Sequence, residues 1–256
     1  MTRIFDALKK AESAREPARP GAAAMPAFAA VRAGDPGAAG RGSMPMLGAV
    51  PLDDDVLKQM SALRVTLDAT LRERAPRVVA FLGAQGGEGA STIAMQFAQT
   101  LARDPGARPL LVDCHCARPA LQVDPDRRCA VLGPQVLGPA SELGSVVTAN
   151  LFVLPLAAGQ QQERILQPAT LRQALELNTP GFDWVVLDCP AVLEAPEATA
   201  LAAVADGAVL VLQAGRSKRP ILTRALELLS KGGARLMGTV LNRRVHEIPE
   251  FIYRRI

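Results

Sequence analysis

The stretch FLGAQGGEGAST, Phe81 to Thr92, decides the fold. It follows a β-branched apolar run, Arg77-Val78-Val79-Ala80, and leads into the helical pattern Ile93-Ala94-Met95-Gln96-Phe97-Ala98. A strand, a glycine-rich turn and a helix N-terminus in that order make a phosphate cradle. Glycines let the backbone come close and point N–H groups inward, and the helix dipole favours an anion. Against the pattern G-x-x-x-x-G-K-[ST], the first glycine position holds Ala84 and the second Gly89, with Gly86 and Gly87 between. Ser91 and Thr92 supply the hydroxyls, and the lysine position holds Ala90. The expectation is a nucleotide-binding frame (Gly86, Gly87, Glu88, Gly89, Ala90, Ser91, Thr92) without its main phosphate-binding cation.

Outward from the loop, strand and helix patterns alternate. Strands are expected at 77–83, 109–113, 150–155, 183–188, 207–213 and 236–241, and helices at 91–103, 168–178, 195–204 and 220–231. The strands are short and apolar on both faces, the pattern of a mostly parallel sheet covered by helices on both sides. The fold class is therefore α/β, doubly wound. Upstream, Val56, Leu57, Met60, Leu63, Leu67 and Leu71 fall at helical spacing, which predicts a helix from Asp53 to about Arg74, ended by Pro76. Asp53 to Asp55 supply the cap and an acidic first turn. In such sheets ligands sit at the carboxyl ends of the strands. Asp113 closes Leu110-Leu111-Val112 and Asp188 closes Trp184-Val185-Val186-Leu187. A carboxylate there, beside a phosphate loop, commonly holds Mg²⁺, its competing role being a turn or cap residue. The expected metal ligands are Ser91, Asp113 and Asp188.

The rest of the composition narrows the function. Of 256 residues 49% are hydrophobic but only 4% aromatic, so the core must be built of Leu, Val and Ala. A net charge of +4, spread over many arginines, is no basis for nucleic-acid binding. There is no uninterrupted apolar run of the ~18 residues a membrane span requires, and no signal-peptide core. Four cysteines (Cys114, Cys116, Cys129, Cys189) read as reduced thiols of a cytoplasmic protein. The spacing Cys114-His115-Cys116 is tighter than zinc sites use. Four segments are expected. Residues 1–16 read as a short amphipathic helix, with Ile4, Phe5 and Leu8 on one face. Residues 17–48 are an Ala/Gly/Pro-rich linker. Residues 49–245 form the P-loop domain, and 246–256 a C-terminal tail. The two outer amphipathic stretches suggest docking on a partner or peripheral contact with a membrane.

Six segments stand in a telling order: GGEGAST (86–92), LLVDCHCARP (110–119), NLFVLPLAAG (150–159), WVVLDCPAVLEAPEA (184–198), ADGAVLVLQAG (205–215) and GTVLNRR (238–244). Together they resemble the cytoplasmic kinase domain of the bacterial tyrosine kinases (BY-kinases), relatives of the MinD/ParA ATPases. The resemblance spans about residues 53 to 244. It implies a doubly wound P-loop NTPase fold, with ATP or ADP and Mg²⁺ as ligands and Asp113 and Asp188 as the catalytic carboxylates. It also implies adenine recognition by Asn242 with Arg243 beside it. The partner it implies is a membrane co-polymerase or another polysaccharide-export protein, met as a homo- or hetero-oligomer at the inner face of the inner membrane.

The departures from the family pattern are equally specific. Ala90 replaces the loop lysine, and Gln85 stands where MinD-type proteins carry a second one. His115 replaces the second aspartate of the hhhDxDxR motif, and Ala117 its arginine, with Arg118 the nearest substitute. Ala191 replaces a proline and Glu197 an aspartate. The family's tyrosine cluster shrinks to Tyr253. Its ring-forming E-x-x-R-x-x-R positions read Lys58, Ser61 and Arg64. Neutralising phosphate charge is most of what phosphoryl transfer needs. The leading expectation is thus a degenerate, pseudokinase-type scaffold or regulator of exopolysaccharide or capsule biosynthesis and export. Two alternatives stand beside it. One is an active atypical autokinase or ATPase, with Arg118, Arg216 or a partner's arginine as the cation. The other is a MinD/ParA-like membrane-associated positioning factor.

Overall fold

The computed structural model describes residues 52–71, 75–115, 151–155, 167–179 and 181–243. The N-terminal helix, the linker, segment 117–149 with Arg118 and Cys129, Cys116, and the tail with Tyr253 lie outside the described residues.

The chain enters through α1 (Asp54–Thr70). The Asp53 carboxylate accepts the Val56 N–H at 2.8 Å, and Asp54 and Asp55 complement the dipole of the first turn. The helix stops short of the expected Arg74. Leu71 is already extended (ψ 160), although its N–H still bonds the Leu67 carbonyl. Leu71 is buried where the helix ends, ahead of Pro76.

Alternation follows as the sequence predicts: β1 (Arg77–Gly83), α2 (Ala90–Ala102), β2 (Pro109–Asp113), β3 (Phe152–Pro155), α3 (Pro168–Asn178), β4 (Trp184–Asp188), α4 (Glu197–Val204), β5 (Gly207–Gln213), α5 (Arg219–Lys231) and β6 (Leu236–Asn242). The six strands form one parallel sheet in the order β3-β2-β4-β1-β5-β6. β1 is central. The chain leaves it toward β2 on one side and returns through β4 to β5 on the other, which places a crevice at the carboxyl ends of β1 and β4.

Period-2 alternation sends successive side chains to opposite faces. On one face Val79, Phe81, Leu111, Val186, Val209 and Val211 pack under α1 and α2. On the other Ala80, Leu82, Leu110, Val112, Val185 and Leu210 pack under α3, α4 and α5. The few aromatics cluster on the α2 face. Phe97 meets Phe81 at 5.3 Å and Trp184 edge-on at 5.6 Å. On the other face the core is aliphatic apart from Phe182 and two cysteines. Among the described residues no helix is long and apolar enough to cross a membrane.

Candidate functional site

The phosphate loop joins β1 to α2 and takes its shape from glycines in the left-handed region. Gly87 has φ 81 and Gly89 φ 94, values that favour glycine. Space forbids substitution at Gly89 as well, because a Cβ would stand 2.1 Å from the Asn242 amide nitrogen.

The side chains of two residues of the expected nucleotide site brace the loop. The Glu88 side chain is buried; its carboxylate accepts the Gln85 N–H at 2.9 Å and the Ser217 hydroxyl. Asn242, also buried, donates its amide to the Glu88 carbonyl at 2.9 Å, and its carbonyl accepts the Arg243 N–H at 2.8 Å. Both side chains are consumed within the protein because a buried polar group must be paired where no water reaches it.

The ligand side of the loop carries contacts that sequence reasoning missed. The Glu194 carboxylate, from the turn after β4, accepts the Gly86 N–H at 2.6 Å. An anion of the protein thus occupies one loop amide. Across the loop, Nη1 of the exposed Arg216 lies 2.9 Å from the point where a Gly87 Cβ would be. Arg243 donates to the Gly87 carbonyl at 3.5 Å and to Gln213 at 3.3 Å. Ala90 opens α2, so the lysine position sits at the helix N-terminus with no charge of its own.

Beside the loop is an ionisable cluster. β2 and β4 pair in parallel with Asp113 opposite Asp188. Each lies two residues past a side chain of the α2 face (Leu111, Val186), so both carboxylates emerge toward the N-terminus of α2, where Ser91 lies. His115 folds back over them. Its Nδ1 is 3.0 Å from Asp113 Oδ1 and 3.7 Å from Asp188 Oδ2, and its backbone N–H donates to Asp113 Oδ1 at 3.0 Å. Ligand atoms of the three residues all lie within 4.8 Å of one another.

The charges are under tension. Asp188 is fully buried; no donor stands in close hydrogen-bonding geometry with either oxygen, and its neighbours are the His115 imidazole at 3.7 Å and the Ser91 hydroxyl. Burial pushes its carboxyl up to about 7; the His115 charge opposes this, the Asp113 charge adds to it, and the nearby Ser91 hydroxyl lowers it. For His115 burial acts to lower the imidazole, but the Asp113 hydrogen bond and the charges of Asp188, Asp113 and Glu197 together raise it. Cys114 and Cys189 belong to the opposite face's core and are buried without a disulfide. Contact with Cys189, followed by burial, holds the Cys114 thiol well above its usual range.

The expected Mg²⁺ ligands Ser91, Asp113 and Asp188 are brought together, and a buried carboxylate without close donors suits a cation. The imidazole nitrogen among them does not suit Mg²⁺, which takes oxygen ligands in near-ideal octahedral geometry.

A parallel sheet wound on both faces, with a glycine loop at the central strand and two acidic strand ends beside it, defines the P-loop class. No protein-family model matches the chain. The chain is 26% identical over 189 residues to the tyrosine-protein kinase CpsD of Streptococcus agalactiae, covering 72% of this chain and 81% of that protein. It is 28% identical over 189 residues to the succinoglycan biosynthesis transport protein ExoP of Rhizobium meliloti, covering 70% of this chain but 24% of ExoP. The kinase domain of the Escherichia coli tyrosine kinase ETK superposes with a TM-score of 0.70 at 16% identity, covering 88% of this chain and 92% of that one. The chain is similar in sequence to tyrosine-protein kinases of this class and shares the fold of a BY-kinase domain, and its phosphate loop lacks the lysine.

Proposed function

We propose that this protein is a pseudokinase-type scaffold or regulator in exopolysaccharide or capsule biosynthesis and export. It would act at the cytoplasmic side of the membrane with a co-polymerase or another export protein as its partner. The observation that carries the reading is Ala90 at the N-terminus of α2, where a lysine would neutralise phosphate charge. Loss of one such stabilising group costs on the order of 10²–10³ in rate. His115 in place of the second carboxylate, and the Glu194 carboxylate on the Gly86 amide, weaken the site for a nucleotide further. The pathway comes from the likeness to CpsD and to ExoP, the latter a succinoglycan transport protein. Titration of the full chain with ATP and Mg²⁺ tests it. Weak or undetectable binding without phosphate release is expected, and micromolar binding with turnover would overturn it.

One observation favours a second reading, an active atypical kinase or ATPase. Arg216 and Arg243 both reach Gly87. In that reading their guanidinium groups supply the charge that lysine would. It predicts phosphate release, or phosphorylation of Tyr253, that Asp188→Asn abolishes.

A further inference from the structure

We propose that Asp113, His115 and Asp188 form a site for a divalent transition-metal ion of the Mn²⁺, Co²⁺ or Zn²⁺ kind, in preference to Mg²⁺. The register of β2 on β4 delivers both carboxylates to one point, and the turn after β2 lays an imidazole nitrogen across them. Adjacent ligands on a metal with bonds of roughly 2.1 Å stand about 3.0–3.5 Å apart. Here Nδ1 is 3.0 Å from one carboxylate oxygen and 3.7 Å from the other, so the three donors already surround one point.

Two further features point to a cation. Asp188 is fully buried, no donor stands in close hydrogen-bonding geometry with its oxygens, and they face this cluster. Its nearest charged partner is the His115 imidazole at 3.7 Å, so a metal ion in place of the imidazole proton would meet the buried carboxylate more closely. The Asp113 oxygen is oriented by the His115 backbone N–H, which stays in place whether or not Nδ1 takes a metal. That is the kind of outer hydrogen bond that fixes a ligand.

The choice of metal follows from the nitrogen. Imidazole suits the later first-row metals, while Mg²⁺ strongly prefers oxygen. The thiols of Cys114 and Cys189 lie in the core cluster on the other face of the sheet and are not donors to this point. Three protein donors leave coordination positions open for water or for an oxyanion. Binding requires His115 to release its Nδ1 proton.

The test uses the full chain stripped with a chelator and titrated with Co²⁺, followed by the visible absorption of the bound ion, with no nucleotide present. One equivalent should bind, and a hundredfold excess of Mg²⁺ should leave it bound. Loss of even an outer partner of a metal ligand costs 10–100-fold in affinity, so His115→Gln should weaken Co²⁺ by at least about tenfold. His246→Gln removes the chain's other histidine and should change nothing. His115→Asp keeps three donors and should shift preference from Co²⁺ toward Mg²⁺, which carries the test if His115→Gln fails to fold. Equal Co²⁺ affinity in wild type and His115→Gln would overturn the proposal. So would displacement by equimolar Mg²⁺, or an intense thiolate-to-metal band showing cysteine ligands. With nucleotide absent, failure here leaves the pseudokinase reading untouched.

Discussion

Replacing Asp188 by asparagine in metal-free protein should flatten the dependence of stability on pH. The carboxyl titrates near 3.8 when unfolded and about 7 when folded, raised by burial. A raised folded value means the native state holds the proton more tightly. Stability from the neutral acid is therefore fully present below the unfolded value and is lost as pH climbs through 7. A shift of about three units corresponds to about 4 kcal/mol at the most, of which about 3 kcal/mol falls between pH 5 and 8. His115, also raised, acts in the same direction, since its proton too is held more tightly when folded. Asparagine has no such proton, and without the Asp188 charge His115 loses part of its own elevation. The variant should be less sensitive to pH and, at pH 8, should gain up to about 4 kcal/mol less the roughly 1–3 kcal/mol of an unpaired buried amide. Urea unfolding at pH 5, 6, 7 and 8 with chelator present reads this directly. The single tryptophan, Trp184, is buried on the same strand and reports the transition. Parallel curves for wild type and variant would refute the reasoning, because Asp188 would then be as ionised in the native state as in the unfolded chain.

Three other outcomes are expected. Ala90→Lys should raise ATP affinity at least about tenfold by calorimetry, given what one phosphate-neutralising group contributes; no gain would mean that the loop no longer presents a phosphate site. Glu194→Ala removes the carboxylate from the Gly86 N–H and should strengthen phosphate or ATP binding several-fold, with an unchanged urea midpoint. Gly89→Ala should destabilise the fold by about 2–4 kcal/mol, combining backbone strain with displacement of the buried Asn242 amide; a change below about 0.5 kcal/mol in urea unfolding would contradict it.

What the sequence disclosed here follows the range of the interactions involved. Strands β1, β2, β4 and β5 are short apolar runs bounded by turn residues, and the sheet needed little beyond that signal. Asp113 and Asp188 were legible because strand ends are where a parallel sheet gathers its chemistry. The end of α1 was not, since nothing in Leu71-Arg72-Glu73-Arg74 reads as a stop. Glu194 and Ser217 were invisible for a similar reason. Glu194 meets Gly86 across 108 residues and Ser217 meets Glu88 across 129, and no local pattern marks either pair. Glu88 and Asn242 sit at the expected positions, but which way their side chains point depends on burial that only the assembled loop creates.

The two halves of the site have diverged in how their charge is answered. On the phosphate half, the loop keeps left-handed glycines that would strain other residues, and its Gly86 amide now points at the protein's own Glu194 carboxylate. A ligand anion there must displace an internal one, which lowers its net gain. On the metal half the internal counter-charge is the His115 imidazole, which both carboxylates hold toward its charged form. His115 lies 3.7 Å from Asp188, too far to hydrogen-bond, and no donor stands in close hydrogen-bonding geometry with either Asp188 oxygen. Burial therefore works against the charged form of Asp188, and an incoming cation would relieve that cost as well as form bonds. A metal ion at the carboxylate cluster would have to displace the His115 proton, just as an anion at the loop would have to displace the Glu194 carboxylate, so each half of the site sets an internal charge against its ligand.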